Sequence, residues 1–120
     1  MKGDAILASS LAFGGGYVRE SRYQTKLIQK IRDLFPGCII LKNDPQYLQG
    51  VPDWLILYHG RWAALEVKSG LNGEIQPNQG YYVEMMDQMS FAAFVYPENE
   101  EQVLYELQRT LAPGRKARVS

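Results

Sequence analysis

The feature that most restricts the fold of this chain is a pair of apolar runs, Val51–Tyr58 and Arg61–Lys68, with only His59-Gly60 between them. Two residues leave no room for a crossover, so the runs must pair antiparallel, and a glycine that tolerates positive φ suits such a turn. The register follows. With Tyr58 paired to Arg61, each step back along one strand is a step forward along the other, which sets Asp53 opposite Glu66. Side chains alternate along a strand, so Asp53, Leu55 and Leu57 share a face with Trp62, Ala64, Glu66 and Lys68. Trp54, Ile56, Tyr58, Ala63, Leu65 and Val67 form the other. Both faces are mainly apolar, the pattern of a sheet covered by helices on both sides.

The flanking sequence supplies the helices. From Glu20, the residues Tyr23, Leu27, Ile28, Ile31, Leu34 and Phe35 recur at helical spacing until Pro36-Gly37 ends the pattern. Cys38–Lys42 is a β-prone run, and Asn43–Gly50 is a polar loop ending in glycine. After a loop over Leu71–Gln76, Pro77 suits the first position of a second helix running to about Met89, with Tyr82, Met85, Met86 and Met89 as its expected buried stripe. Phe91–Tyr96 reads as a fourth strand. Asn99 with Gln102 resembles a capping box before a third helix carrying Val103, Leu104, Leu107 and Leu111. The chain of 120 residues, 46% of them hydrophobic, is the size of one domain. The expected organisation is a leader or arm over 1–16, the folded domain over 17–112 and a mobile basic tail over 113–120.

Net charge is zero, with 13 basic and 13 acidic residues, so attraction to nucleic acid must come from a local patch. No Lys or Arg occurs from Ser69 to Gln108, whereas Arg19, Arg22, Lys26, Lys30 and Arg32 lie on the first helix, Lys42, Arg61 and Lys68 on strands, and Arg109, Arg115, Lys116 and Arg118 near the end of the sequence. A polarised molecule with one face toward DNA is one reading, and a merely solvated charged face is the other. The lone Cys38 cannot form an internal disulfide, which points to a reducing compartment, and no run is long enough to span a membrane. Ala5–Phe13 is weakly like a signal segment, but Asp4 and Gly14-Gly15-Gly16 flank it wrongly, so it reads as an arm.

Two opposed carboxylates have Cβ atoms about 5 Å apart and repel each other unless something compensates. A divalent cation does: it is hard, takes oxygen ligands, and as magnesium uses one or two carboxylates together with waters and substrate phosphate. Lys68 points into the same space. The alternative is a Glu66–Lys68 or Asp53–Lys68 ion pair with no catalytic part. His59, the single histidine, lies in the turn, so neither a histidine-dependent nuclease nor a Ser-His-Asp hydrolase can be assembled.

Pro52-Asp53 followed by Glu66-Val67-Lys68 across a short hairpin resembles the signature of the PD-(D/E)XK nuclease superfamily. Gly50-Val51-Pro52-Asp53, a glutamate opening the preceding helix and a glutamine opening the following one are similar to its VRR-NUC branch, including small stand-alone viral members. The resemblance covers roughly Val18–Leu111. It implies an α/β fold with a restriction-endonuclease-like core, αβββαβ(α), in which a four-stranded mixed sheet is flanked by helices. It also implies a site in which Asp53, Glu66 and the Val67 carbonyl hold magnesium, with manganese able to substitute. Glu20 joins directly or through water, Lys68 stabilises charge near the phosphate, and Gln79 orients site groups. Glu20 has a plainer reading as a helix-start glutamate favoured by the macrodipole, and Gln79 as a polar first-turn residue. Gln24 is a weaker candidate on the inner stripe of the first helix, and Tyr23 is read as core.

These expectations describe a metal-dependent endonuclease acting on DNA, with Holliday junctions or other branched DNA as the expected substrate. They further imply a homodimer and a cytoplasmic location, which for a virus-encoded member is the host cytoplasm. Two other readings share the sequence: a non-catalytic DNA-binding or interaction module that keeps the fold, and a restriction-like nuclease acting on plain duplex. No base-reading motif is visible, which favours recognition of backbone and shape.

Overall fold

A computed structural model describes residues 15–70 and 75–116, with side chains from Ser21 onward. In chain order the elements are α1 (Gly15–Leu34), β1 (Ile39–Lys42), β2 (Trp54–Tyr58), β3 (Arg61–Val67), α2 (Pro77–Met89), β4 (Ala92–Val95), a 3₁₀ turn at Pro97–Asn99 and α3 (Glu100–Leu111). The strands form one sheet in the order β1-β2-β3-β4. β2 runs antiparallel to both β1 and β3, while β4 is parallel to β3. The mixed character follows from loop length: two residues join β2 to β3, whereas reaching β4 in parallel needs the crossover that α2 provides.

The hairpin turn adopts positive φ at both central residues, 52° at His59 and 77° at Gly60, which matches the right-handed twist of the strands it joins. Tyr58 pairs with Arg61 and Trp54 with Leu65, as the two-residue turn dictates. One face of the sheet carries Ile56, Ala63, Leu65 and Val67, packed against Leu27, Ile31 and Phe35 of the α1 side and Val103, Leu104, Leu107 and Leu111 of α3. The other face carries the smaller cluster of Ala64, Ala92 and Val83, with Leu55, Trp62, Met86 and Phe94 around it. This second face is the one that Asp53 and Glu66 share.

Several expectations are corrected. α1 begins at Gly15 rather than at Glu20, and so takes in the end of the expected leader. First-turn residues need contribute nothing to the core, so apolar spacing does not reveal them. α2 is rotated from the expected stripe. Val83 is its buried residue, Tyr82 and Met86 are half-buried, and Met85 and Met89 are exposed. The small side chains of Ala64 and Ala92 take the helix along Val83 and Met86, and Gln79, one turn earlier, meets Glu66 and Lys68.

The sheet is also less covered than its apolar faces suggest, because Ile39 and Leu41 on edge strand β1 remain exposed. Asn99 does not form a capping box with Gln102. Its side chain accepts a hydrogen bond from Tyr96 N and donates one to Phe94 O, which holds the 3₁₀ turn, while Gln102 bonds Glu106. The basic tail, expected to be mobile from Pro113, is anchored at Arg115. That guanidinium donates to Leu34 O at the end of α1 and lies 5.3 Å from the centre of the Phe35 ring, satisfying a carbonyl left over by the helix. Residues 117–120, the arm Ala5–Phe13 and residues 71–74 lie outside the described residues. No helix among the described residues is long and apolar enough to cross a membrane.

Candidate active site

The β2–β3 ladder ends at Trp54–Leu65, and just past that end side chains take over from backbone. Asp53 N donates to Glu66 Oε1 at 3.1 Å, and Val67 N donates to Asp53 Oδ2 at 3.4 Å. Each carboxylate is thus held by a backbone N–H beside the other, which brings both to one side of the ribbon. Within a strand, a residue's N–H and C=O face the same neighbour. The Val67 carbonyl therefore also faces the Asp53 side.

Glu66 is 4% exposed, and its charge is met from α2 and the end of β3. Its Oε2 accepts a 2.9 Å hydrogen bond from Gln79 Nε2 and lies 3.8 Å from Lys68 Nζ. Lys68 Nζ in turn donates to Gln79 Oε1 at 3.2 Å, and Gln76 N donates to the same oxygen at 3.0 Å. The amide orientation is fixed by these partners, since a flip would set its NH₂ against two donors. Gln79 therefore locks the carboxylate to the ammonium and ties both to the first turn of α2. This is more than a polar first-turn residue does.

Asp53 differs from Glu66. Among the described residues no basic side chain comes within ion-pair distance of it, and its second oxygen receives no hydrogen bond. Burial pushes its carboxyl above the ordinary aspartate value, against the opposing pull of Lys42, the Val67 N–H and Lys68. A half-buried carboxylate with an open oxygen, next to a second carboxylate and a backbone carbonyl, is the hard-oxygen donor set a small divalent cation takes. The residues fit the ion.

Comparison with protein-family models, with curated proteins and with solved structures returned no match.

Among the described residues no third acid completes the pair. The expected third, Glu20, has its backbone in α1, one turn before Tyr23, and its side chain lies outside the described residues. Because α1 starts at Gly15, Glu20 falls in its second turn rather than opening the helix. Gln24 is half-buried on the same helix. Tyr23 packs against the main core, as expected, and its hydroxyl is held far above the usual tyrosine range by burial and then by Glu100 and Glu98.

Sequence reasoning missed the residues that fix the approach to Asp53. Asn43 N donates to Asp53 O at 2.9 Å, and Asn43 Nδ2 donates to Pro52 O, so the two ends of the loop 43–53 are stapled together. Asn78 Nδ2 of α2 donates to Gln49 O at 3.2 Å. Gly50, at φ 94°, lies so close that a Cβ there would fall 2.6 Å from Asn78 Cγ. The glycine before Val51-Pro52-Asp53 was the available signal. Gly50→Ala is expected to cost at least about 1 kcal/mol in chemical denaturation, from the left-handed backbone and the clash together. Unchanged stability would show that the loop can leave α2 without penalty.

Proposed function

We propose that this chain is a magnesium-dependent endonuclease that hydrolyses DNA phosphodiester bonds, of the PD-(D/E)XK type its sequence resembles. The observation that carries the reading is the reciprocal hold of Asp53 and Glu66 at the end of one hairpin, with Lys68 in the same space and Asp53 without an ion-pair partner among the described residues. The order of helix, three antiparallel strands, crossover helix and parallel fourth strand supports a restriction-endonuclease-like core.

In this reading Asp53, Glu66 and the Val67 carbonyl would hold the cation, with Glu20 as the third acid. A cation held there supplies Lewis-acid stabilisation of the phosphate and makes water a better nucleophile at neutral pH. Lys68 sets a positive charge where negative charge grows on the phosphoryl oxygens. Gln79 is a positioning residue, which fixes Glu66 and Lys68 relative to each other. The chain carries no base-reading motif, so the substrate is recognised by backbone and shape, with branched DNA preferred, and two copies would deliver paired cuts.

The test is incubation with end-labelled four-way junction, flap and linear duplex, in magnesium, in manganese and in chelator. Cleavage is expected in both metals and none in chelator, with the branched substrates cut faster. Equal cleavage of duplex would favour the restriction-like reading. Light scattering tests the dimer.

One observation favours a second reading, a non-catalytic DNA-binding module: Glu66, Lys68 and Gln79 already bond one another. That module would cut nothing in either metal, and its thermal stability would not respond to magnesium.

A further inference from the structure

The loop that leads into Asp53 holds its tip in order while presenting an aromatic ring to solvent. Asp44 builds the tip: its Oδ1 accepts from Gln46 N at 2.9 Å, and its carbonyl accepts from Tyr47 N at 3.0 Å and from Leu48 N at 3.4 Å. Pro45 restricts the backbone between them. The feet of the loop are stapled by Asn43 to Pro52 and Asp53, and its far side is tied to α2 by Asn78. This is the same helix that carries Gln79.

On this braced tip Tyr47 is 89% exposed, the most exposed large hydrophobic side chain among the described residues, with the half-exposed Leu48 beside it. A loop with no partner would gain by being polar here, as Gln46 and Gln49 are. An aromatic ring held out from an ordered turn is a surface for stacking.

Chain length limits Tyr47 to within about 14 Å of Asn43, whose backbone bonds Asp53, and that is about four base steps of DNA. Lys42 stands at the foot of the loop, its ammonium 4.6 Å from the centre of the Trp54 ring. Bases inside an intact duplex already stack on each other and offer no open face. An unpaired base, or one at an opened step, does.

We infer that Tyr47 is a specificity-determining residue that stacks on an unpaired base beside the phosphate to be cut, and so selects DNA with an unpaired or open step over continuous duplex. The inference rests on the nuclease reading above and deepens it by naming how the substrate is recognised.

The test compares wild type, Tyr47→Ala and Tyr47→Trp on two DNAs of the same sequence, one fully paired and one with an unpaired 2-aminopurine next to the expected cut. Binding is measured in calcium and cleavage in magnesium. Wild type should bind the unpaired DNA more tightly and quench the 2-aminopurine. Tyr47→Ala should lose about 5- to 150-fold in affinity for that DNA, the range alanine substitution of a stacking ring gives, with duplex binding changed less than about twofold. Tyr47→Trp should restore both affinity and quenching.

Equal loss on both DNAs, or no loss on either, overturns the inference. So does a change of oligomeric state in Tyr47→Ala with DNA binding intact, because the ring would then be a protein contact. If wild type cuts neither DNA but quenches through Tyr47, the nuclease reading fails while base stacking stands. Cleavage that ignores Tyr47 has the opposite meaning.

Discussion

Asp53→Asn will keep the fold and slow cleavage by about 10³-fold or more, the rate equivalent of the several kcal/mol that stabilisation by a bound metal ion provides. Asparagine keeps the shape and the oxygen that accepts from Val67 N, but it removes the charge a cation needs. The fold should gain. Burial raises the Asp53 carboxyl above the ordinary value near 3.8, so the folded chain disfavours the ionised form in the absence of metal. A group raised in this way favours folding fully only below its unfolded value, and that contribution is lost as pH rises through the folded one. At neutral pH without metal, Asp53→Asn should therefore unfold at the same denaturant concentration as wild type or a higher one. The margin should close as pH falls to the ordinary aspartate range. Magnesium should raise the stability of wild type and leave the variant unmoved. Near-normal cleavage by Asp53→Asn would end the proposed function, and an unfolding midpoint below wild type would overturn the account of its burial.

The residues central to this prediction were legible in the sequence because a two-residue turn leaves one register. Once His59-Gly60 joins Tyr58 to Arg61, the meeting of Asp53 with Glu66 follows by counting, and the structure brings them together. Lys68 and Gln79 were legible in position, but their mutual bonds were not, since they depend on how α2 lies on the sheet. That lie is set by Ala64 and Ala92. Small residues leave room rather than fill it, so a reading that looks for large apolar side chains chose Met85 and Met89 and misjudged the rotation of the helix. Arg115 escaped for a related reason: a guanidinium that satisfies the carbonyl of Leu34 and covers Phe35 looks, in sequence, like any basic tail residue. The clamps on the loop before Asp53, Asn43 and Asn78, act through amide-to-backbone bonds that carry no periodic trace.

Glu66 offers the second large effect, because the two substitutions that remove its charge should part company in stability while agreeing in activity. Glu66→Ala deletes both acceptor oxygens, so Asp53 N and Gln79 Nε2 lose their partner and Lys68 loses its nearby carboxylate. Breaking a buried ion pair from one side costs about 3–5 kcal/mol. Two features reduce that figure here. Lys68 keeps some access to water, with 14% of its side chain exposed, and Asp53 is freed from a like charge. The orphaned N–H groups and the space left in a 4%-exposed position work the other way, so we expect a net loss of about 2–3 kcal/mol in denaturant titration. Glu66→Gln retains one acceptor oxygen and the volume, and turns its NH₂ against only one of the two donors, so its cost should stay near 1 kcal/mol. Neither should cut DNA at a measurable rate, because in both the pair of carboxylates proposed to grip the cation is reduced to one. Equal stability of the two variants would show that Gln79 and Lys68 re-form their contacts without Glu66. Cleavage by Glu66→Gln would show that Asp53 alone suffices to hold the ion.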